Sequence, residues 1–310
     1  MANNDDVSTG APNGLPAMDW PAPVRPAAVR GTVPRVRLEG AGEGARLVWD
    51  AGPIAPGEPL DGVWDFLALA EAGDAEILAF ARRHGVLGLE RGGNEAGSEP
   101  VAAWQAYARG LRAVLGIAAA LRQGRHTRLE EWAVAAGAAV TLAEPASLDG
   151  DSRQRLAEGF AGLALYVVLD QTGPGDLAVT QHRLFERLMA ELLARSGLRP
   201  SVVVDEAGRG RLGLTLPVAP SQRPGSTAAE EVGRLADILL AAACEAIESE
   251  GLGRCDVCGR PFRRSPDAAG PRLDRRTFCS EACRRQAKRE VQRDSARRRA
   301  AARRTTPAGA

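Results

Sequence analysis

Four of the chain's five cysteines fall inside one stretch, CDVCGRPFRRSPDAAGPRLDRRTFCSEACRRQAKRE, at residues 255 to 290. Cys255 and Cys258 form a C-x2-C pair, and after 20 intervening residues Cys279 and Cys283 form C-x3-C. Two close pairs joined by a loop are the pattern of a tetrahedral structural zinc site, because a short chain can bring both pairs to one ion. Zn2+ has no geometric preference of its own and is well suited by four thiolates. A segment this small cannot bury enough surface to fold alone, whereas metal ligation supplies about 10 kcal/mol or more, coupled directly to folding. The expectation is one structural Zn2+ per chain on Cys255, Cys258, Cys279 and Cys283, with redox cysteines or a different metal as the alternatives. Gly259 is placed to turn the chain after the first pair, and Phe262 and Phe278 to form a minimal apolar core. Ser280 is placed to cap a helix that begins at Glu281 and carries Cys283 in its first turn.

The second chemical signal follows directly. From Arg284 to Arg304 there are ten basic residues against Glu290 and Asp294, with no Gly or Pro to interrupt a helix. Arg285, Arg289, Arg293 and Arg297 recur four apart and share a face, Lys288 and Arg299 project nearby, and the two acids turn away. Arg284, Arg285, Lys288, Arg289, Arg293 and Arg297 are therefore the candidate nucleic-acid contacts, since guanidiniums match phosphate oxygens and guanine edges in a duplex major groove. A single-strand RNA binder needs exposed rings for stacking bases, and the two phenylalanines here are better used in a core. Duplex DNA is the expected partner, with RNA or protein as open alternatives. The charge division points the same way: residues 251–310 hold 17 Arg or Lys against 6 Asp or Glu, and residues 1–250 hold 23 against 33. A basic end on an acidic body suits a polyanion partner, or docking of the tail on its own body.

CDVCGRPF, then RRTFCSEACRRQAKRE, then an Arg-rich helix resembles the C-terminal CGNR-type zinc fingers of bacterial regulators that carry a helical N-terminal body. The resemblance covers about the last 60 residues, with Cys283-Arg284-Arg285-Gln286 where that family has Cys-Gly-Asn-Arg. It implies a treble-clef-like finger, DNA binding and transcriptional regulation, with a body that senses a ligand or forms a homodimer. Some nucleases share the treble clef but need a catalytic His in the finger, and residues 251–310 contain none.

The rest of the chain offers little chemistry. Its one lysine, Lys288, lies in the basic tail, so no Gly-Lys-Ser/Thr phosphate loop exists. His84, His126 and His182 lack the paired spacing of a helical zinc protease, and there is no Gly-x-Ser-x-Gly elbow. Gly40, Gly42 and Gly44 read as a hairpin turn rather than a nucleotide loop, and Cys244 as a small buried hydrophobe. No enzyme activity is expected. No run of about 18 apolar residues suggests a membrane span, and the polar, acidic start does not look like a secretory signal. A cytoplasmic location is expected, where reducing conditions favour metal thiolates over disulfides.

The elements that must position these groups are mostly helices. In EPVAAWQAYARGLRAVLGIAAALRQG, Trp104, Tyr107, Ala108, Leu111, Leu115 and Ala118 recur at three- and four-residue steps and define a buried face. DAEILAFARRHG, TRLEEWAVAAGAAV, SRQRLAEGFAGLALYVVLD, AVTQHRLFERLMAELLARSG and AAEEVGRLADILLAAACEAIESEG behave similarly. VPRVRLEGAGEGARLVWDA and PSVVVDEAGRGRLGLTLPV read as hairpins. The expected fold class is mainly α: a helical body with two short β-hairpins, plus a small C-terminal treble-clef-like zinc finger and a basic helix. The expected divisions are a disordered leader (1–30), the body (31–250), the finger (251–283) and the Arg-rich helix and tail (284–310).

Overall fold

The computed structural model describes residues 35–50, 55–58, 60, 62–89, 96–143, 150–172, 177–204, 210–215, 234–249, 251–264 and 277–305, with the short strand segments 22–23, 32–33, 219–220 and 231–232. The leader expected at 1–30 lies outside the described residues, apart from one two-residue strand at 22–23.

The helices are α1 (Trp64–Ala68), α2 (Asp74–His84), α3 (Val101–Arg122), α4 (Leu129–Ala143), α5 (Gly150–Thr172), α6 (Leu177–Arg195), α7 (Leu235–Glu248) and α8 (Glu281–Thr305). The strands are β1 (Ala22–Pro23), β2 (Thr32–Val33), β3 (Val36–Glu39), β4 (Arg46–Trp49), β5 (Ala55–Pro56), β6 (Gly97–Pro100), β7 (Arg199–Val204), β8 (Gly210–Thr215), β9 (Ala219–Pro220), β10 (Glu231–Val232), β11 (Leu252–Arg254) and β12 (Pro261–Arg263). The fold is mainly helical, with small two- and three-stranded sheets.

Helix α3 is the axis of the body. Its expected face is buried as read, with Trp104, Tyr107, Ala108, Leu111 and Leu115 all at 0% exposure. Against it an aromatic cluster forms: the Phe66 ring lies 5.7 Å from Phe80, 5.8 Å from Tyr107 and 6.2 Å from Trp104. Helix α4 crosses α3 so closely that a Cβ on Gly110 would come within 2.6 Å of the Ala138 backbone nitrogen. Helices α5 and α6 then pack on α4, and α7 returns to α3, where the Tyr107 hydroxyl donates to the Ala236 carbonyl at 2.8 Å. Cys244 lies buried in α7, and burial pushes its thiol up to about 12.

Both hairpins form. Strand β3 pairs antiparallel with β4 in the register Val36↔Trp49 and Leu38↔Leu47, and β7 pairs with β8 through Val202↔Leu212. Two expectations change. Glu99 and Pro100, read as the start of a helix, belong to β6, a third strand on β4. Gly97 permits this, because a Cβ there would sit 2.6 Å from the Trp49 ring. The helix expected from Ala228 onward starts only at Leu235, and Glu231 and Val232 pair with β9 instead. Its first-turn acid is Asp237, which accepts from Arg234 at 2.6 and 2.8 Å and from the Gly197 N–H at 3.0 Å.

Among the described residues, no helix is long and apolar enough to cross a membrane.

Candidate metal centre

Strands β11 and β12 pair antiparallel, Leu252↔Arg263 to Arg254↔Pro261, and the turn between them carries the first cysteine pair. The Cys255 N–H donates to the Arg260 carbonyl and the Gly259 N–H to the Cys255 carbonyl, both at 3.0 Å. Closing this turn puts Gly259 at φ +71°, a left-handed conformation in which a side chain would be strained. Thr277 ties the second pair to the first. Its hydroxyl donates to the Arg254 carbonyl at 2.7 Å, its carbonyl accepts from the Asp256 N–H at 2.8 Å, and its own N–H donates to the Asp256 carboxylate. Two residues on, Cys279 precedes Ser280, whose hydroxyl accepts the Cys283 N–H at 3.3 Å and so caps α8 as expected.

These bonds bring together all four cysteines read as ligands. The sulfurs of Cys255, Cys258, Cys279 and Cys283 lie within 4.8 Å of one another, with Cys258–Cys279 at 3.5 Å and Cys279–Cys283 at 3.6 Å. Four sulfurs about 2.3 Å from one central ion would be separated by about 3.8 Å, so the cluster has the dimensions of a tetrahedral site. No disulfide links them. Cys255 is buried, Cys279 and Cys283 half-buried and Cys258 exposed.

Their electrostatics fit a cation. Burial raises the Cys279 thiol to about 12, and hydrogen bonding with Cys258, Cys283 and Cys255 adds to the rise. Burial also raises Cys258. At Cys255 burial opposes ionisation too, but the N–H groups of Cys258, Cys279 and Val257 outweigh it and bring the thiol down to about 6. The Cys255 sulfur thus favours the thiolate, while Cys258 and Cys279 resist a second negative charge beside it. A divalent ion among them removes that repulsion, as metal–thiolate chemistry requires.

The finger's apolar support differs from expectation. Phe262 and Phe278 are only half-buried. Besides Cys255, the buried apolar side chains of the described finger are Leu252, at 4% exposure and part of the body's core cluster, and Ala287 on α8. The finger is a small layer laid on the body: β11 packs on α3 and α7, and β12 on α3. Ion pairs hold its edges, Arg254 with Glu131 at 2.5 Å, Arg260 with Glu71 at 2.6 Å and Asp256 with Arg125. The sequence pattern missed these contacts, since nothing local to a cysteine motif names a partner on a distant helix.

Helix α8 is treated differently. Ala287 lies four residues after Cys283 and is buried on the cluster side. Arg285, Lys288, Arg289, Arg293 and Arg297 are exposed. Among the described residues Arg284 and Arg285 pair only with Glu281, in their own first turn, at 2.8 and 3.4 Å. Among the described residues Lys288, Arg289, Arg293 and Arg297 have no acidic partner.

The body also carries a groove of 610 Å³ between α3, α4 and α5, lined by Ala102, Ala106, Ala133, Gly137 and Ala161 with Arg109 among them.

Comparison of the chain with protein-family models, curated proteins and solved structures gave no match. The four-cysteine cluster alone does not identify a CGNR-type finger.

Proposed function

We propose that this chain is a DNA-binding protein, acting in transcriptional regulation, in which one structural Zn2+ on Cys255, Cys258, Cys279 and Cys283 fixes α8 so that its arginines meet duplex DNA. The observation that carries this reading is the unequal treatment of the two sets of arginines. Arg254 and Arg260 in the finger are used on Glu131 and Glu71 of the body, while Lys288, Arg289, Arg293 and Arg297 of α8 stand exposed and have no acidic partner among the described residues. An unopposed row of guanidiniums on a rigid helix is the electrostatic footprint of a phosphate-binding surface. Zinc is the ion best matched to four thiolates at this spacing. The resemblance to CGNR-type regulators supports the same reading, and in it the groove between α3, α4 and α5, lined by alanines with Arg109, Glu130 and Glu158, is the candidate place for a ligand on the body.

Duplex binding by the zinc-loaded chain, measured by fluorescence anisotropy across a salt series, tests it. Affinity should fall steeply with added salt, and replacing Arg289, Arg293 and Arg297 together by Ala should flatten the log–log slope by about 3, or about one per lost phosphate contact. No binding to mixed-sequence duplex at low salt would sink the reading and leave a protein-interaction adaptor or an RNA-binding protein in its place.

A further inference from the structure

Helix α5 has an apolar surface on both sides. Ala157, Ala161, Ala164 and Val168 form its buried stripe, packed on α4 and α6. The outward face of such a helix is ordinarily polar, yet here Tyr166 is 69% exposed, Leu163 64%, Leu156 48% and Leu169 43%. Arg155, Gly159, Gly162, Leu163, Tyr166 and Asp170 recur at three- and four-residue steps and run the length of this outer face. Gly159 and Gly162 carry no side chain and face open space, with no atom within 4 Å of an added Cβ, so the face is low at both positions beside the exposed Leu163 and Tyr166. At the ends stand opposite charges. Among the described residues Arg155 bonds the Ser152 hydroxyl alone, at 3.1 Å, and Asp170 is exposed with no partner.

These features are self-complementary. We propose that two copies of the chain associate through α5, antiparallel across a two-fold axis beside Gly162 and Leu163. In that arrangement Tyr166 faces Gly159 of the second copy, and Arg155 comes within side-chain reach of Asp170 of the second copy. Leu163 meets its own counterpart at the axis, and Gly162 lets the two backbones approach. The Tyr166–Gly159 and Arg155–Asp170 relations each occur twice and the Leu163 contact once, on the axis, as an isologous interface demands. An asymmetric partner would have no need for a low position, a ring and two opposite charges placed at mirrored distances from one point. A second copy of this chain matches all of them. The proposal gives the body of the proposed regulator a defined role, and it stands on α5 whether or not α8 contacts DNA.

The test is sedimentation of the full-length, metal-loaded chain without nucleic acid. Wild type should show a concentration-dependent dimer in the micromolar range. Leu163→Glu and Leu163→Lys each place two like charges together at the axis and should each weaken association at least about tenfold. An equimolar mixture of the two variants should recover the dimer, because each pairing then sets Glu against Lys, and that recovery also shows that both variants are folded. A monomeric wild type, variants that dimerise as well as wild type, or a mixture that stays monomeric would each overturn the proposal.

Discussion

Glu99 is 1% exposed, and its two oxygens accept hydrogen bonds from the N–H groups of Leu87 (3.2 Å), Gly88 (2.7 Å) and Leu89 (3.0 Å) and from the Trp104 indole (3.0 Å). One carboxylate thereby joins the loop after α2, strand β6 and helix α3. Glu99→Gln keeps the size but turns an amide donor toward donors, and should cost about 1–3 kcal/mol of stability in urea unfolding. Burial raises the Glu99 carboxyl above its ordinary value, against the lowering by those four donors. Between the ordinary and the raised value the folded chain keeps a proton that the unfolded chain has released. The contribution of Glu99 to stability therefore falls as pH climbs through that window and is level above it. The difference between the wild-type and Glu99→Gln stability curves should show this fall, and a difference that grows with pH would contradict it. Nothing in the sequence distinguished Glu99 from a solvated acid, because its four donors come from residues whose backbone direction is set by tertiary packing. The cysteines are the opposite case. Their chemistry is carried by residue type and spacing, so Cys255, Cys258, Cys279 and Cys283 could be read directly as a cluster. Wild type should carry about one ion per chain by metal analysis, and Cys279→Ser should lose it while the body stays helical by circular dichroism.

At the scale of elements, periodicity was the reliable signal. Helix α3 buries the face that its apolar repeat defines, and β3–β4 pairs in the register set by Val36, Leu38, Leu47 and Trp49. Boundaries were less legible. The start of α7 is hard to read in the sequence because Glu230 and Glu231 look like first-turn acids, whereas Asp237 fills that place. Strand β6 was missed because Pro100 resembles a helix start and Gly97 carries no pattern, although its bareness is what admits the Trp49 ring. The α3–α4 crossing gives a direct check. Gly110→Ala pushes a methyl into the Ala138 backbone and should cost about 1–3 kcal/mol by overpacking, read as a lower thermal midpoint. The same change at Gly137, where an added Cβ meets nothing within 4 Å, should not produce that loss.

For the whole molecule, the finger and the body are mechanically linked. Leu252 belongs to the body's core, so loss of a metal held by the four cysteines would free one end of a strand packed on α3 and α7. Chelation should therefore lower the thermal midpoint of the body helices as well as release the finger, and Leu252→Ala should destabilise both by about 2–5 kcal/mol. A body midpoint indifferent to chelator would show that the two move independently. Within the basic segment the described arginines divide: Arg254 and Arg260 pair with Glu131 and Glu71 of the body, and Arg289, Arg293 and Arg297 of α8 are exposed. Sequence alone left these as alternatives because both need the same residues.

Lys288 stands exposed on α8 and is the only lysine in 310 residues. Apart from the terminal amine, it is therefore the sole primary amine in the chain. A lysine-specific protease would cut once, within the cationic rod, and an amine-reactive reagent would mark that rod almost exclusively. The protein thus carries an intrinsic reporter at the surface in question, and shielding of that amine by a bound polymer could be followed without introducing any label.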